Sequence, residues 1–192
     1  MKRLGYLEVI AGPMYCGKTE ELIRQVKRAT IGKKHVIVFK HAIDVRYGTD
    51  KKVHSHAGIT FDSELIHFAS EILKSVDGKT EIVAIDEAQW LGEELIPVVE
   101  ELLRRKKHVI VAGLAMTFDR QPFVPMPTLM AIADKVTKLS AVCSICGDDA
   151  VFHKRIAKGK PADALSTDPS LVQKLTDNEY EARCRNCFSK KP

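Results

Sequence analysis

The chain has 192 residues, 30 of them basic and 25 acidic, for a net charge of +5. That length suits one domain of ordinary size plus a small appendage and excludes two full α/β domains, which need about 250 residues or more. With 45% apolar residues a real core is possible, and the five cysteines are too few for a disulfide scaffold. The modest charge permits a nucleic-acid partner without arguing for one.

The chain starts basic, but Glu8 interrupts the first apolar stretch, so a secretion signal is not expected. No apolar run reaches the ~18 residues of a membrane span. These features read as a soluble protein of the reducing cytoplasm, where paired cysteines more often hold metal than form disulfides. Residues 6–11 read as a buried strand ending in glycine. Residues 18–31 space Leu22, Ile23, Val26 and Ala29 as a helix does, and Gly32 stops it. Residues 35–39 are a second strand. Residues 41–61, with charges, three histidines and several breaks, read as a long functional loop with room for a short strand. Ser63 and Glu64 are placed to cap a helix through about residue 73. Residues 81–85 make a third strand, 92–105 a helix ending in four basic residues, and 108–112 a fourth strand. Residues 127–135 read as a helix after a proline-rich turn. Near-continuous apolar strands alternating with helices predict a parallel sheet covered on both faces, hence an α/β fold. After Cys143 the rhythm stops and only short irregular segments are expected, which sets a domain boundary near residue 140.

Gly12-Pro13-Met14-Tyr15-Cys16-Gly17-Lys18-Thr19 matches the phosphate-loop pattern G-x-x-x-x-G-K-[ST], following a predicted strand and opening a predicted helix. Its glycines let backbone N–H groups curl around phosphates, and the helix dipole favours their charge. Lys18 is expected on the β and γ phosphates and Thr19 on Mg²⁺. Cys16 reads as a small residue that fits the loop. The third strand ends in Asp86-Glu87, where Asp86 is placed to orient Mg²⁺ and Glu87 to act as a general base near the γ-phosphate. Asp86-Glu87-Ala88-Gln89 also looks like the acidic box of nucleic-acid helicases, but a helicase core needs two such domains.

Cys143-Ser144-Ile145-Cys146 and Cys184-Arg185-Asn186-Cys187 are two C-x-x-C pairs separated by 37 residues. Four thiolates suit tetrahedral Zn²⁺ and leave no open position, so a structural rather than catalytic zinc is expected, pinning both ends of the intervening segment.

Taken in order, these motifs resemble the type II thymidine kinases, the cytosolic, zinc-containing family. The likeness extends through Asp44-Val45-Arg46-Tyr47, Ser55-His56-Ala57-Gly58, Ile85-Asp86-Glu87-Ala88-Gln89-Trp90, Ala112-Gly113-Leu114, residues 117–123, residues 136–143 and residues 180–187. It implies a RecA-like P-loop core over residues 1–140 and a zinc-bound lasso domain over 141–192. It implies transfer of the ATP γ-phosphoryl group to the 5′-hydroxyl of thymidine, giving dTMP. Glu87 would be the base, with Asp44 and Arg46 near the phosphates and Mg²⁺. Met14, Gln89, Trp90, Leu114, Phe118, Phe123, His153 and Tyr180 would line the nucleoside site. A homotetramer and feedback by the end-product triphosphate are also implied.

The chain departs from the family pattern at Ala115, Val124, His153 and a lasso without glycine over residues 171–180. The departures spare the phosphate machinery, so a deoxynucleoside kinase of altered base selectivity stays open. His153 can equally be an exposed strand residue. A zinc-bearing P-loop ATPase acting on nucleic acid is a further alternative. Against it, Arg104-Arg105-Lys106-Lys107 suits a helix C-terminus, and no basic-aromatic platform for a single strand is visible. A degenerate, non-catalytic relative is opposed by the intact Lys18, Thr19, Asp86 and Glu87. No membrane and no stable nucleic-acid partner are expected.

Overall fold

The computed structural model describes residues 5–42, 52–54, 60–157, 160–161 and 180–189. Asp44, Arg46, residues 55–58 and most of the 171–180 segment lie outside the described residues. Six parallel strands form the central sheet: β1 (Tyr6–Gly12), β2 (Val36–His41), β5 (Glu64–Ile66), β6 (Ile82–Asp86), β7 (His108–Leu114) and β8 (Lys135–Lys138). Their spatial order is β5-β2-β6-β7-β1-β8. Between β2 and β5 the short strands β3 (Lys52–His54) and β4 (Thr60–Asp62) pair antiparallel.

Alternation along the strands assigns side chains to two helical layers. Ile10, Val38, Ile82, Ala84, Ile110 and Ala112 face one way and bury Leu22, Ile23 and Val26 of α1 (Lys18–Ile31). Glu20 and Glu21 in the first turn of α1 complement the helix dipole, and Gly32 closes it. The opposite set, including Leu7, Val9, Phe39, Val83, Ile85, Val109 and Val111, packs a larger core. That core takes Ile72 from α2 (Ile72–Ser75), Leu95, Val98, Val99 and Leu102 from α3 (Leu95–Arg104), and Met126 and Leu129 from α4 (Met126–Ile132). No helix among the described residues is long and apolar enough to cross a membrane.

Two sequence expectations are corrected here. Residues 63–73 are not one helix. Glu64–Ile66 joins the sheet beside β2, and helical structure starts only at Ala69. The Glu71 carboxylate reaches back to the N–H groups of His67 and Phe68, at 3.0 and 2.8 Å, so the capping carboxylate is Glu71 rather than Ser63 or Glu64. The helix predicted through residue 135 stops at Ile132. Asp134 exchanges hydrogen bonds with the backbone of Leu7, which starts β8 along the edge of β1.

The chain after Cys143 is also more regular than expected. β9 (Ala141–Val142) and β10 (Asp149–Ala150) form a hairpin, and β11 (Phe152–Ala157) pairs antiparallel with β12 (Lys160–Pro161) and β13 (Tyr180–Arg183). β9, β10 and β12 are only two residues long, and β11 and β13 mix polar with apolar residues, which hides them from an apolar-run criterion.

Leu102 of α3 is wholly buried in the larger core. Leu102→Ala removes that contact and leaves a cavity, so it should lower unfolding free energy by about 2–5 kcal/mol, read from urea denaturation of the two proteins.

Candidate active site

The candidate residues gather at the carboxyl ends of β1, β2, β6 and β7, where open parallel sheets bind ligands. Gly12 ends β1, and the loop then runs to α1 through Gly17, whose φ of +81° is a left-handed conformation open to glycine at little cost. Lys18 folds back to donate to the Pro13 carbonyl at 2.6 Å. Thr19 donates its hydroxyl to Asp86 at 3.0 Å, joining the first turn of α1 to the end of β6. The other Asp86 oxygen accepts the Glu87 N–H at 3.0 Å.

Glu87 itself has φ +52°, ψ +38°, a left-handed backbone that costs a non-glycine residue of the order of 1 kcal/mol. The turn re-aims the chain so that Asp86 points to Thr19 while Glu87 points beside Gln89. Gln89 is 2% exposed and uses both ends of its amide. Its NH₂ donates to Glu87 at 2.5 Å, and its oxygen accepts the Leu114 N–H at 3.0 Å. Gly113 makes room for this: a Cβ there would sit 2.9 Å from the Gln89 oxygen and 2.7 Å from the Met126 sulfur. Gln89 therefore clamps the Glu87 carboxylate to the end of β7.

Around this centre the other predicted residues are placed as follows. Trp90 and Phe123 meet edge to face at 5.4 Å, and Leu114 is buried at the end of β7. Met14 is half-buried in the phosphate loop. Phe118 lies under the Arg155 guanidinium, 5.8 Å from its ring centre. Tyr15 at the loop tip donates to the Tyr180 carbonyl at 3.4 Å, and the His153 ring lies 5.9 Å from the Tyr180 ring. His153 is 4% exposed, so the expectation of an exposed strand residue is corrected. Burial first, and the Lys18 charge second, push its pKa down to about 3, so the imidazole is neutral at pH 7. Of the other departures, Ala115 packs against the larger core and Val124 is exposed.

One residue at this sheet end escaped the sequence reading. Lys40 is 2% exposed and lies in register with Asp86 across β2 and β6. The available signal was a lysine two residues beyond Val38, on the face that Val38 buries.

The four cysteines of the two pairs converge, with all sulfurs within 4.8 Å of one another. Each pair sits in a tight turn: Gly147 N–H donates to the Cys143 carbonyl at 2.9 Å and Cys187 N–H to the Cys184 carbonyl at 3.2 Å. Burial opposes the Cys143 thiolate, but N–H groups of Cys184, Ile145 and Cys146 outweigh it and lower the pKa to about 6. Arg183, fully buried, donates to the Cys187 carbonyl at 3.1 Å and pairs with Glu181, which accepts the Ser144 hydroxyl at 3.1 Å. One network thus spans both turns. Four cysteine sulfurs this close could hold a metal ion, and an all-sulfur donor set suits zinc. Cys16 packs against this cluster from the phosphate loop. Burial pushes its thiol pKa up against the Lys18 charge, as befits a packing residue. Arg120 stacks on Phe188 at 4.7 Å and lines a cavity of about 270 Å³ with Asp119, Gln121, Phe152 and Arg185. This ties the loop carrying Phe118 and Phe123 to the cysteine turns.

The family model described as Thymidine kinase matches residues 5–188. That span takes in every strand, helix and cysteine described above. Within it, His153 offers a test of the geometry that needs no substrate. The folded ring stays neutral while the unfolded ring takes a proton below pH 6.5, so its contribution is complete above that pH and is lost as pH falls towards 3. Between pH 7 and 5 the wild type should lose about 2 kcal/mol more stability than His153→Leu, by urea denaturation at each pH. Equal losses would contradict the buried neutral ring.

Proposed function

The chain belongs to the thymidine kinase family, and from that premise we propose how its residues perform the reaction. It is an ATP-dependent phosphotransferase of nucleotide salvage, moving the γ-phosphoryl group of ATP to the 5′-hydroxyl of thymidine. The observation that carries the residue roles is the joined pair Thr19–Asp86 beside the clamped Glu87.

The loop from Gly12 to Thr19 cradles the phosphates with its N–H groups, and Lys18 exchanges the Pro13 carbonyl for the β and γ oxygens. Thr19 and Asp86 would hold Mg²⁺, and the family likeness assigns Asp44 and Arg46 to the same task; the ion would supply neutralisation of charge across the transferring phosphate. Glu87 accepts the proton of the thymidine 5′-hydroxyl as the oxygen attacks. Its strained backbone and the Gln89 clamp fix the carboxylate before substrate arrives, so little reorganisation is left to the reaction. Ala88 and Gln89 complete the acidic turn. Trp90, Phe123, Leu114, Met14 and Phe118 enclose the flat base with apolar surface, while His153 and Tyr180 bring polar atoms from the β11–β13 pair.

Residues 1–140 then form the kinase core and 141–192 the lasso domain. Cys143, Cys146, Cys184 and Cys187 hold a structural Zn²⁺, a reading supported by their convergence. A homotetramer, feedback by the end-product triphosphate and a cytoplasmic location rest on the family likeness. Neither altered base selectivity nor action on nucleic acid gains support from the described residues.

Glu87→Gln should lower kcat by roughly a hundredfold or more with ATP affinity near normal; normal turnover would refute its role. Cys184→Ser should lose bound zinc, measured by metal analysis of the purified protein. Retention of one zinc per chain would overturn the four-cysteine site.

A further inference from the structure

We propose that Lys40 is a positioning residue for phosphoryl transfer, a second buried cation that acts through Asp86. The proposal rests on the phosphate-site reading above. It starts from the sheet register. Val36 pairs with Ile82, Val38 with Ala84 and Lys40 with Asp86 across β2 and β6. In a parallel pair, registered residues project to the same face, and alternate residues share it. Val38, Ile82 and Ala84 are buried in the core under α1, with Val36 packed against it. Lys40 and Asp86 therefore end the same two rows, on the side where Thr19 of α1 meets Asp86.

Lys40 is 2% exposed and Asp86 4%. Lysine is almost never buried to this degree without compensation, because removing an ammonium from water is costly. Its neighbour in register supplies a carboxylate. Another buried lysine, Lys107, donates its ammonium to the carbonyls of Asp77 and Thr80, at 2.9 and 2.6 Å, remote from the sheet end that carries the phosphate loop. Lys40 instead lies on the phosphate side, at the carboxyl end of β2. The Asp86 oxygens take the Thr19 hydroxyl and the Glu87 N–H. A cation in register with that carboxylate, on the same face of the sheet, would favour the orientation that serves both. It also leaves Lys18, which rests on Pro13, available to the incoming phosphates.

The test is a double-mutant cycle of Lys40→Met and Asp86→Asn, read by kcat at saturating ATP, Mg²⁺ and thymidine, by thymidine KM, and by melting temperature. Lys40→Met should lower kcat by about tenfold, leave thymidine KM within about twofold, and add nothing further in the Asp86→Asn background. Losses that multiply would show that Lys40 does not act through Asp86 and would overturn the proposal, as would wild-type turnover of Lys40→Met. Lys40→Gln replaces the methionine variant if that fails to fold. Failure of both to fold would make Lys40 a residue of sheet stability alone and equally overturn it. Wild-type turnover of Asp86→Asn by itself would instead sink the phosphate-site reading.

Discussion

The hydrogen bond between Thr19 and Asp86 is the constraint on which the site depends. It ties a helix start to a strand end across the face of the sheet. Both partners must be in place before either has a function. Thr19 is set by the left-handed turn at Gly17, and Asp86 by the buried run of β6. Once Asp86 is directed to Thr19, the next residue must turn away. The left-handed backbone of Glu87 does so and places its carboxylate beside Gln89. Gln89 passes the constraint on to Leu114, so α1, β6 and β7 meet through side chains as well as through the sheet ladder.

Much of this was legible in the residues. β1, α1, β2, β6 and β7 announce themselves because each carries a strong apolar pattern and a glycine or charged end. The phosphate loop, the Asp86-Glu87 pair and the cysteine pairs are short motifs whose chemistry dictates their spacing. β8 was missed because Lys-Val-Thr-Lys is an exposed edge strand with little to bury. β5 was missed because three residues gain strand structure only from the neighbouring β2. Lys40 and His153 were harder still. The alternation that puts Lys40 on the face of Val38 is a weak cue beside the usual exposure of lysine, and both burials come from tertiary packing against distant elements.

The cysteine turns and the phosphate loop lie far apart in the sequence. Here they share atoms of one contact surface. Cys16 packs on the cluster, and Tyr15 reaches the backbone of Tyr180 at 3.4 Å. Arg120, in the loop after β7, ties a further segment to the cysteine turns through its stack on Phe188. The structural metal that the four cysteines suit would thereby stiffen the neighbourhood of the phosphates without touching them.

The network from Ser144 through Glu181 and Arg183 to Cys187 closes the chain across 37 residues between the two cysteine pairs. Loop-closure entropy grows only with the logarithm of loop length, and doubling a loop costs about 0.6 kcal/mol. A segment anchored so firmly at both ends is therefore free to change in length over evolutionary time. By that arithmetic one residue gained or lost between the pairs, outside the paired strands β10 to β13, changes the closure entropy by far less than a doubling does.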